Sequence, residues 1–331
     1  MPIGFQTGMS FDETRLNWDA SGARPLAWSL WYPAEDHVGA VHPTDTSWFK
    51  QHPVAYGAKP RLTDNPFRLV LLSHGSGATP SAMEWLAYGL AQQGFVALAA
   101  HHHGHTGSEP YRAEGFLCMW ERARDLSALL SDESWRHALG APIDDRVHVA
   151  GFSAGAYTAM LLMGARVAYS QFEPDNPVKS PIRGPREFPD LVDELPKLQR
   201  SKVFRESWDR RRDSYADARI ACALVIAPGR SVLGFDIDSL HQVRKPLLLI
   251  GGDADTVAPP QECCKWLHDN VSSIAISIIK RGAGHYTFLS EGTLAGIQAA
   301  PELFLDHADL QREAVHKHVV GLAADFFALP R

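Results

Sequence analysis

Short, nearly unbroken apolar runs recur along the chain and alternate with longer stretches of helical periodicity. Arg68-Leu69-Val70-Leu71-Leu72-Ser73 is the clearest run, and residues 24–33, 95–100, 146–150, 221–227, 246–251 and 274–280 read as further strands. Segments 81–93, 116–130 and 154–168 read as helices. A last helix over 309–328 carries an apolar stripe through Leu310, Val315, Val319, Leu322 and Phe326. Strands that are apolar on both faces and alternate with helices predict an α/β fold, a mostly parallel central sheet flanked by helices. In such sheets the binding groups gather outside the carboxyl ends of the strands.

One segment breaks this rhythm. Residues 169–219 are rich in Pro, Arg, Asp and Glu; Pro174, Pro177, Pro181, Pro185 and Pro189 punctuate the first half, and 190–218 suits charged helices. The segment reads as a lid-like insertion between core segments 1–168 and 220–331, with a plain surface excursion as the competing reading.

Composition narrows the partners. With 331 residues, 45% hydrophobic and 21% charged, the chain has an ordinary globular balance, and its net charge of -6 argues against nucleic acid or an anionic membrane. No run of eighteen apolar residues is present, so no membrane span is expected. Cys118, Cys222, Cys263 and Cys264 lack disulfide or zinc spacing and read as buried free thiols. Reduced thiols, and a start (Met1-Pro2-Ile3-Gly4-Phe5) without signal-peptide character, lead to a cytoplasmic expectation. Oligomeric state is left open.

The candidate chemistry begins at Gly151-Phe152-Ser153-Ala154-Gly155, directly after the strand-like Val147-His148-Val149-Ala150 and before a helix. Strand, G-x-S-x-G and helix form a tight turn in which the serine hydroxyl clears the sheet edge and the next amides lie at a helix N-terminus. A serine needs a base to become a nucleophile. His285, in Gly282-Ala283-Gly284-His285-Tyr286 after the last strand, is the expected base, and Tyr286 is a candidate pocket residue. Asp255 is the favoured orienting acid, because Asp255-Thr256-Val257-Ala258-Pro259 places a carboxylate in the turn after a strand. Asp253 suits a turn-capping role, and Asp236 is the outside choice.

Two backbone amides are needed for a developing oxyanion, each worth about 3 kcal/mol. Ala154 and Ser76, the latter within Ser73-His74-Gly75-Ser76-Gly77, are the expected donors, with His74 bracing that loop. The run His101-His102-His103-Gly104-His105 invites a metal reading, but no carboxylate or cysteine pattern accompanies it. His103 and His105 are therefore expected to line or stabilise a pocket, and no metal or cofactor is expected. His307, His316 and His318 read as residues of a solvated face.

Together these motifs resemble the α/β-hydrolases, and within them the platelet-activating-factor acetylhydrolase and dienelactone-hydrolase-like group. The resemblance rests on Leu30-Trp31-Tyr32-Pro33-Ala34, Ser73 to Gly77, His103-Gly104-His105-Thr106, Gly151 to Gly155, Asp255 and Gly284-His285, and it spans most of the chain outside 169–219. It implies a serine hydrolase of small-molecule esters, acting through an acyl-enzyme on Ser153 with Ser76 and Ala154 as oxyanion donors. Two positions depart from the group. Ser153 stands where dienelactone hydrolases use cysteine, and the strand ending Ala227-Pro228-Gly229 lacks the acid of the acetylhydrolases, so phospholipid specificity is not implied. The alternatives are an amidase or peptidase with the same residues, and a ligand-binding or histidine-cluster metal protein on the same scaffold.

Overall fold

A computed structural model of the protein describes residues 1–42 and 47–329. Its strands are β1 (Ile3–Leu16), β2 (Ala23–Pro33), β3 (Ala55–Tyr56), β4 (Phe67–Ser73), β5 (Val96–His101), β6 (Ile143–Phe152), β7 (Ile220–Ile226), β8 (Leu247–Gly252) and β9 (Ile274–Ile279). Among the described residues these form one nine-stranded sheet in the order β3-β1-β2-β5-β4-β6-β7-β8-β9. From β5 to β9 every neighbouring pair is parallel, whereas β2 runs antiparallel to both β1 and β5.

Helices cover both faces: α1 (Glu84–Gln92), α2 (Ala113–Leu117), α3 (Glu121–Ser131), α4 (Ser134–Leu139), α5 (Ala154–Leu162), α6 (Leu191–Leu198), α7 (Lys202–Asp209), α8 (Ile237–Gln242), α9 (Cys263–Asn270), α10 (Leu294–Ala299) and α11 (Arg312–Ala328). On one face Leu86, Leu90, Val319 and Phe327 of α1 and α11 pack on Val70, Leu72, Leu224 and Ile250. On the other, Leu126, Met160 and Leu267 join Leu69, Leu71, Val149 and Leu249. Each such aliphatic side chain contributes about 1.5–3 kcal/mol by leaving water, which is why the central strands are apolar without interruption.

The expected α/β architecture is present, with differences at particular places. The amino-terminal strand β1 was not among the expected elements. Its Gly4 and Gly8 stand opposite Tyr32 and Trp28, and a Cβ on either glycine would lie 2.2 Å from the facing ring. The glycines thus admit two aromatic side chains across the hairpin. The helix expected over 116–130 is two helices, broken where Cys118 leaves helical geometry (ψ 56°) and Trp120 buries. The helix after Ser153 ends at Leu162 rather than 168, because Gly164 takes a left-handed conformation at φ 110°. On α11 the buried row is Val315, Val319, Ala323 and Phe327, while Leu322 and Phe326 are only half-buried. His316 is not on a solvated face as expected: it is buried, its Nε2 lies 3.0 Å from the Thr287 carbonyl, and it stacks on Trp85 at 4.2 Å. Burial holds its imidazole down at about 4.

A cluster of buried charge joins the hairpin to α3. Asp125 takes Arg24 Nε at 2.7 Å, and Arg15 Nη2 makes a charge contact with it at 2.8 Å; Arg15 Nη1 also reaches Glu121 at 2.9 Å. Burial works to raise the Asp125 carboxyl, but Arg24 and Arg15 outweigh it and hold it well below its ordinary value. Its stabilisation is therefore complete above the ordinary carboxyl value of 3.8 and is lost only as pH falls through the lowered one. Asp125→Ala leaves the buried Arg24 guanidinium without its carboxylate and takes one of three from Arg15, which keeps Asp12 and Glu121, and urea unfolding at neutral pH is expected to register a loss of about 3–5 kcal/mol.

Candidate active site

Ser153 occupies the turn between β6 and α5 with φ 54° and ψ −111°, outside the usual regions for a residue bearing a side chain. Its neighbours explain how that is tolerated. A Cβ on Gly151 would fall 2.0 Å from the Gly155 carbonyl oxygen, and one on Gly155 would fall 1.8 Å from that of Ser73. Only glycine permits these approaches, and the Ser153 amide is fastened to the Ile226 carbonyl at 2.9 Å.

The structure brings Ser153, His285 and Asp255 into one hydrogen-bonded chain. His285 Nδ1 donates to Asp255 Oδ2 at 2.7 Å, and its Nε2 lies 3.0 Å from Ser153 Oγ. The Asp255 carboxylate only accepts, so Nδ1 carries the proton and the Nε2 lone pair faces the serine hydroxyl. Both side chains are buried. Asp255 Oδ1 takes the amides of Val257 (3.0 Å) and Ala258 (2.7 Å), which orients the carboxylate.

The two other acids have different work. Asp253 Oδ1 accepts the amides of Gly282 (3.0 Å) and Ala283 (3.1 Å), clamping the loop that carries His285. Asp236 caps α8 through the Ser239 amide at 2.8 Å.

A cleft of about 490 Å³ opens above Ser153 and His285. Ser76, Ala154, His105 and Tyr286 line it, together with Phe116 and, from the insertion, Phe172 and Glu187. Ala154 is the first residue of α5, whose leading amides have no acceptor within the helix. Gly75 brings the preceding loop close: a Cβ there would lie 3.7 Å from the Ser153 Cβ. Ser231 Oγ, also on the cleft wall, is buried with no hydrogen-bond partner among the described residues.

Two expected pocket residues are not on the cleft wall. His74 is buried behind it, with Nδ1 donating to the Gly75 carbonyl at 2.7 Å, so it braces the loop. His103 turns away to Glu109, Nδ1 to Oε1 at 2.8 Å, because Gly104 (φ 77°) reverses the chain after it. The histidine run diverges as a whole. His101 pairs with Ser29 and Ser108, His102 with Ser73 and Asp125, and His105 with Ser76 and Arg122. Among the described residues no three His, Cys, Asp or Glu side chains converge on a point that would hold a metal ion. The four cysteines are buried and none is in a disulfide.

Arg122 was not anticipated. It is 1% exposed, in a stretch that read only as helix. Nε donates to Thr158 Oγ1 (3.1 Å), Nη1 to His105 Nδ1 (3.2 Å), and Nη2 to Ser73 Oγ (3.1 Å) and to the His74 carbonyl. Burial lowers its guanidinium to about 9, with the Asp125 charge opposing that shift, so it remains a cation at neutral pH. Periodicity has no signal for such a residue, since an arginine on a helix ordinarily reads as solvated.

Residues 69–296 match the alpha/beta hydrolase family, more than half of the chain. The chain belongs to the alpha/beta hydrolase family. A solved ferulic acid esterase from Streptomyces cinnamoneus is similar to this family member at 19% identity, with a TM-score of 0.62 over 98% of this chain and 89% of that one. A mutant puromycin hydrolase complexed with PGG is similar at 13% identity and a TM-score of 0.52, over 98% of this chain and 39% of that one. At these identities the likeness is one of fold. No curated protein matches the sequence significantly.

The clamp at Asp253 yields a local prediction. Asp253→Ala frees two loop amides and is expected to lower stability by about 1–2 kcal/mol in urea unfolding, with exchange of the Gly282 and Ala283 amides accelerated.

Proposed function

We propose that this alpha/beta hydrolase is a serine hydrolase of carboxylic esters that works through an acyl-enzyme on Ser153. The observation that carries the proposal is the hydrogen-bonded order Ser153 Oγ, His285 Nε2, His285 Nδ1, Asp255 Oδ2 at the floor of an open cleft. His285 takes the Ser153 proton as Oγ attacks the ester carbonyl, and Asp255 stabilises the imidazolium that forms. The amides of Ser76 and Ala154 receive the oxyanion. His285 then returns the proton to the leaving alcohol, and water repeats the sequence to release the acid.

The cleft suits a small-molecule ester, since its aromatic wall (Phe116, Phe172, Tyr286) favours an apolar acyl or alcohol part. Segment 169–219 acts in this reading as a cover, because Phe172, Ile182, Pro185, Arg186 and Glu187 form part of the wall. Four buried cysteines outside any disulfide support a cytoplasmic setting. The motifs around Trp31, His74 and His105 support placement beside the dienelactone-hydrolase-like group.

Labelling with a fluorophosphonate probe tests the proposal: intact mass is expected to gain one adduct, mapped to Ser153 and absent from Ser153→Ala. No adduct on folded protein would sink it. Asp255→Asn is expected to lower kcat by about 10⁴-fold while the melting temperature stays near that of the parent. Turnover of p-nitrophenyl esters without turnover of matched p-nitroanilides is expected; faster anilide cleavage would make the protein an amidase instead.

A further inference from the structure

We infer that the Ser76 side chain, in addition to its backbone amide, is a hydrogen-bond donor to the reacting carbonyl oxygen, its hydroxyl proton aimed into the cleft by Arg122 through His105. The inference rests on the hydrolase reading above and concerns a group that the reading leaves unused.

The argument is a count of protons. A guanidinium has five N–H donors and no acceptor. Arg122 Nη1 lies 3.2 Å from His105 Nδ1, so Nδ1 accepts and carries no proton. His105 is fully buried, and burial with the neighbouring Arg122 charge pushes its imidazole well below the ordinary value. One ring proton therefore remains, on Nε2, which lies 3.0 Å from Ser76 Oγ. Nε2 donates and Ser76 Oγ accepts. The hydroxyl's own proton must then point elsewhere, and among the described residues Ser76 Oγ has no partner besides His105. Ser76 is half-exposed on the cleft wall beside Ser153, so the free direction is the cleft.

The second branch from Arg122 obeys the same direction and makes the first rigid. Asp125 only accepts, so His102 Nδ1 donates to it at 3.1 Å. His102 Nε2 then accepts the Ser73 hydroxyl at 2.9 Å, and Ser73 Oγ accepts Arg122 Nη2 at 3.1 Å. With Thr158 Oγ1 held at 3.1 Å and donating in turn to the Ala154 carbonyl, Arg122 ties α5 to the Ser73–Gly77 loop. Arg122 and His105 are positioning residues in this scheme, and the Ser76 hydroxyl is the group that meets substrate.

Steady-state kinetics with p-nitrophenyl butyrate test the assignment. Ser76→Ala is expected to lower kcat by about tenfold or more, with KM changed less than about twofold, since the hydroxyl acts on the developing oxyanion. A kcat within about threefold of the parent, or a loss carried by KM, would overturn it. A pair of variants at His105 tests direction. His105→Glu can pair with Arg122 but only accepts, so it draws the Ser76 proton away from the cleft and is expected to match Ser76→Ala. His105→Gln can accept from Arg122 and donate to Ser76, and is expected to retain several-fold more activity than His105→Glu. Equal activity in the two, at similar melting temperatures, would overturn the assignment. Parent protein that resists the fluorophosphonate defeats the hydrolase reading itself; labelled, active parent protein with an undiminished Ser76→Ala defeats this inference alone.

Discussion

The site depends on how closely three stretches of backbone meet beneath Ser153. With Gly155 against the Ser73 carbonyl and Gly151 against that of Gly155, α5 is pressed onto the ends of β4 and β6 with no side chain between them. This approach turns the chain sharply enough to force Ser153 to φ 54°. It also puts the amino end of α5, with its unpaired amides and positive dipole end, directly under the cleft. Strain of this kind costs about 1–3 kcal/mol and persists only where the surroundings over-determine it. Here they do: β6 is paired on both sides, by β4 and by β7, up to the turn itself.

The second constraint is electrostatic. Arg122 sits in the core with no carboxylate of the described residues on its guanidinium, an arrangement that is costly unless its donors find acceptors. Each of its three nitrogens has an acceptor, and the four acceptors come from three separate elements: a threonine of α5, a serine and a carbonyl at the end of β4, and a histidine of the loop after β5. A donor-only group at the centre removes the ambiguity that usually attends histidine and serine hydrogens, and each branch acquires one direction. The network thereby specifies proton positions as well as heavy-atom positions. An apolar core at this place would pack the elements but would leave the Ser76 hydroxyl free to rotate.

Much of this was legible in the sequence because parallel strands buried on both faces are contiguous apolar runs. Residues 68–73, 146–150 and 221–227 stood out for that reason, and Ser153, Asp255 and His285 were placed at strand ends. Asp255 was favoured over Asp253 and Asp236 because Asp255-Thr256-Val257-Ala258-Pro259 puts a carboxylate in the turn after a strand, with Asp253 as a turn cap. What escaped notice had no periodic signature. Gly4 and Gly8 argue locally against a strand, and their reason lies on the facing strand, in Tyr32 and Trp28. His316 looked solvated because its helix neighbours Lys317 and His318 are exposed, yet one position around the helix meets Trp85. Arg122 and Asp125 become intelligible only when α3 is laid against the hairpin and the loops, since their partners lie up to 110 residues away in sequence.

The insertion is attached in two unequal ways. Its carboxyl half is anchored by Phe204 and Trp208, buried in the core, and by Trp120 Nε1 donating to the Ser207 carbonyl at 3.0 Å. Burial of two aromatic side chains is worth several kcal/mol, so this half holds with the domain. The half nearer the cleft is held by Phe172, buried in the core, and by Phe188 against Phe116 at 5.1 Å, with exposed ion pairs, Arg183 with Asp193 and Arg186 with Glu302, adding at most about 1 kcal/mol each. A polar inner contact is Glu187, whose side chain fills the space where Gly77 lacks one. Glu187 thus meets the Ser73–Gly77 loop and the cleft at once, since its side chain lies against Gly77 and lines the same wall as Ser76.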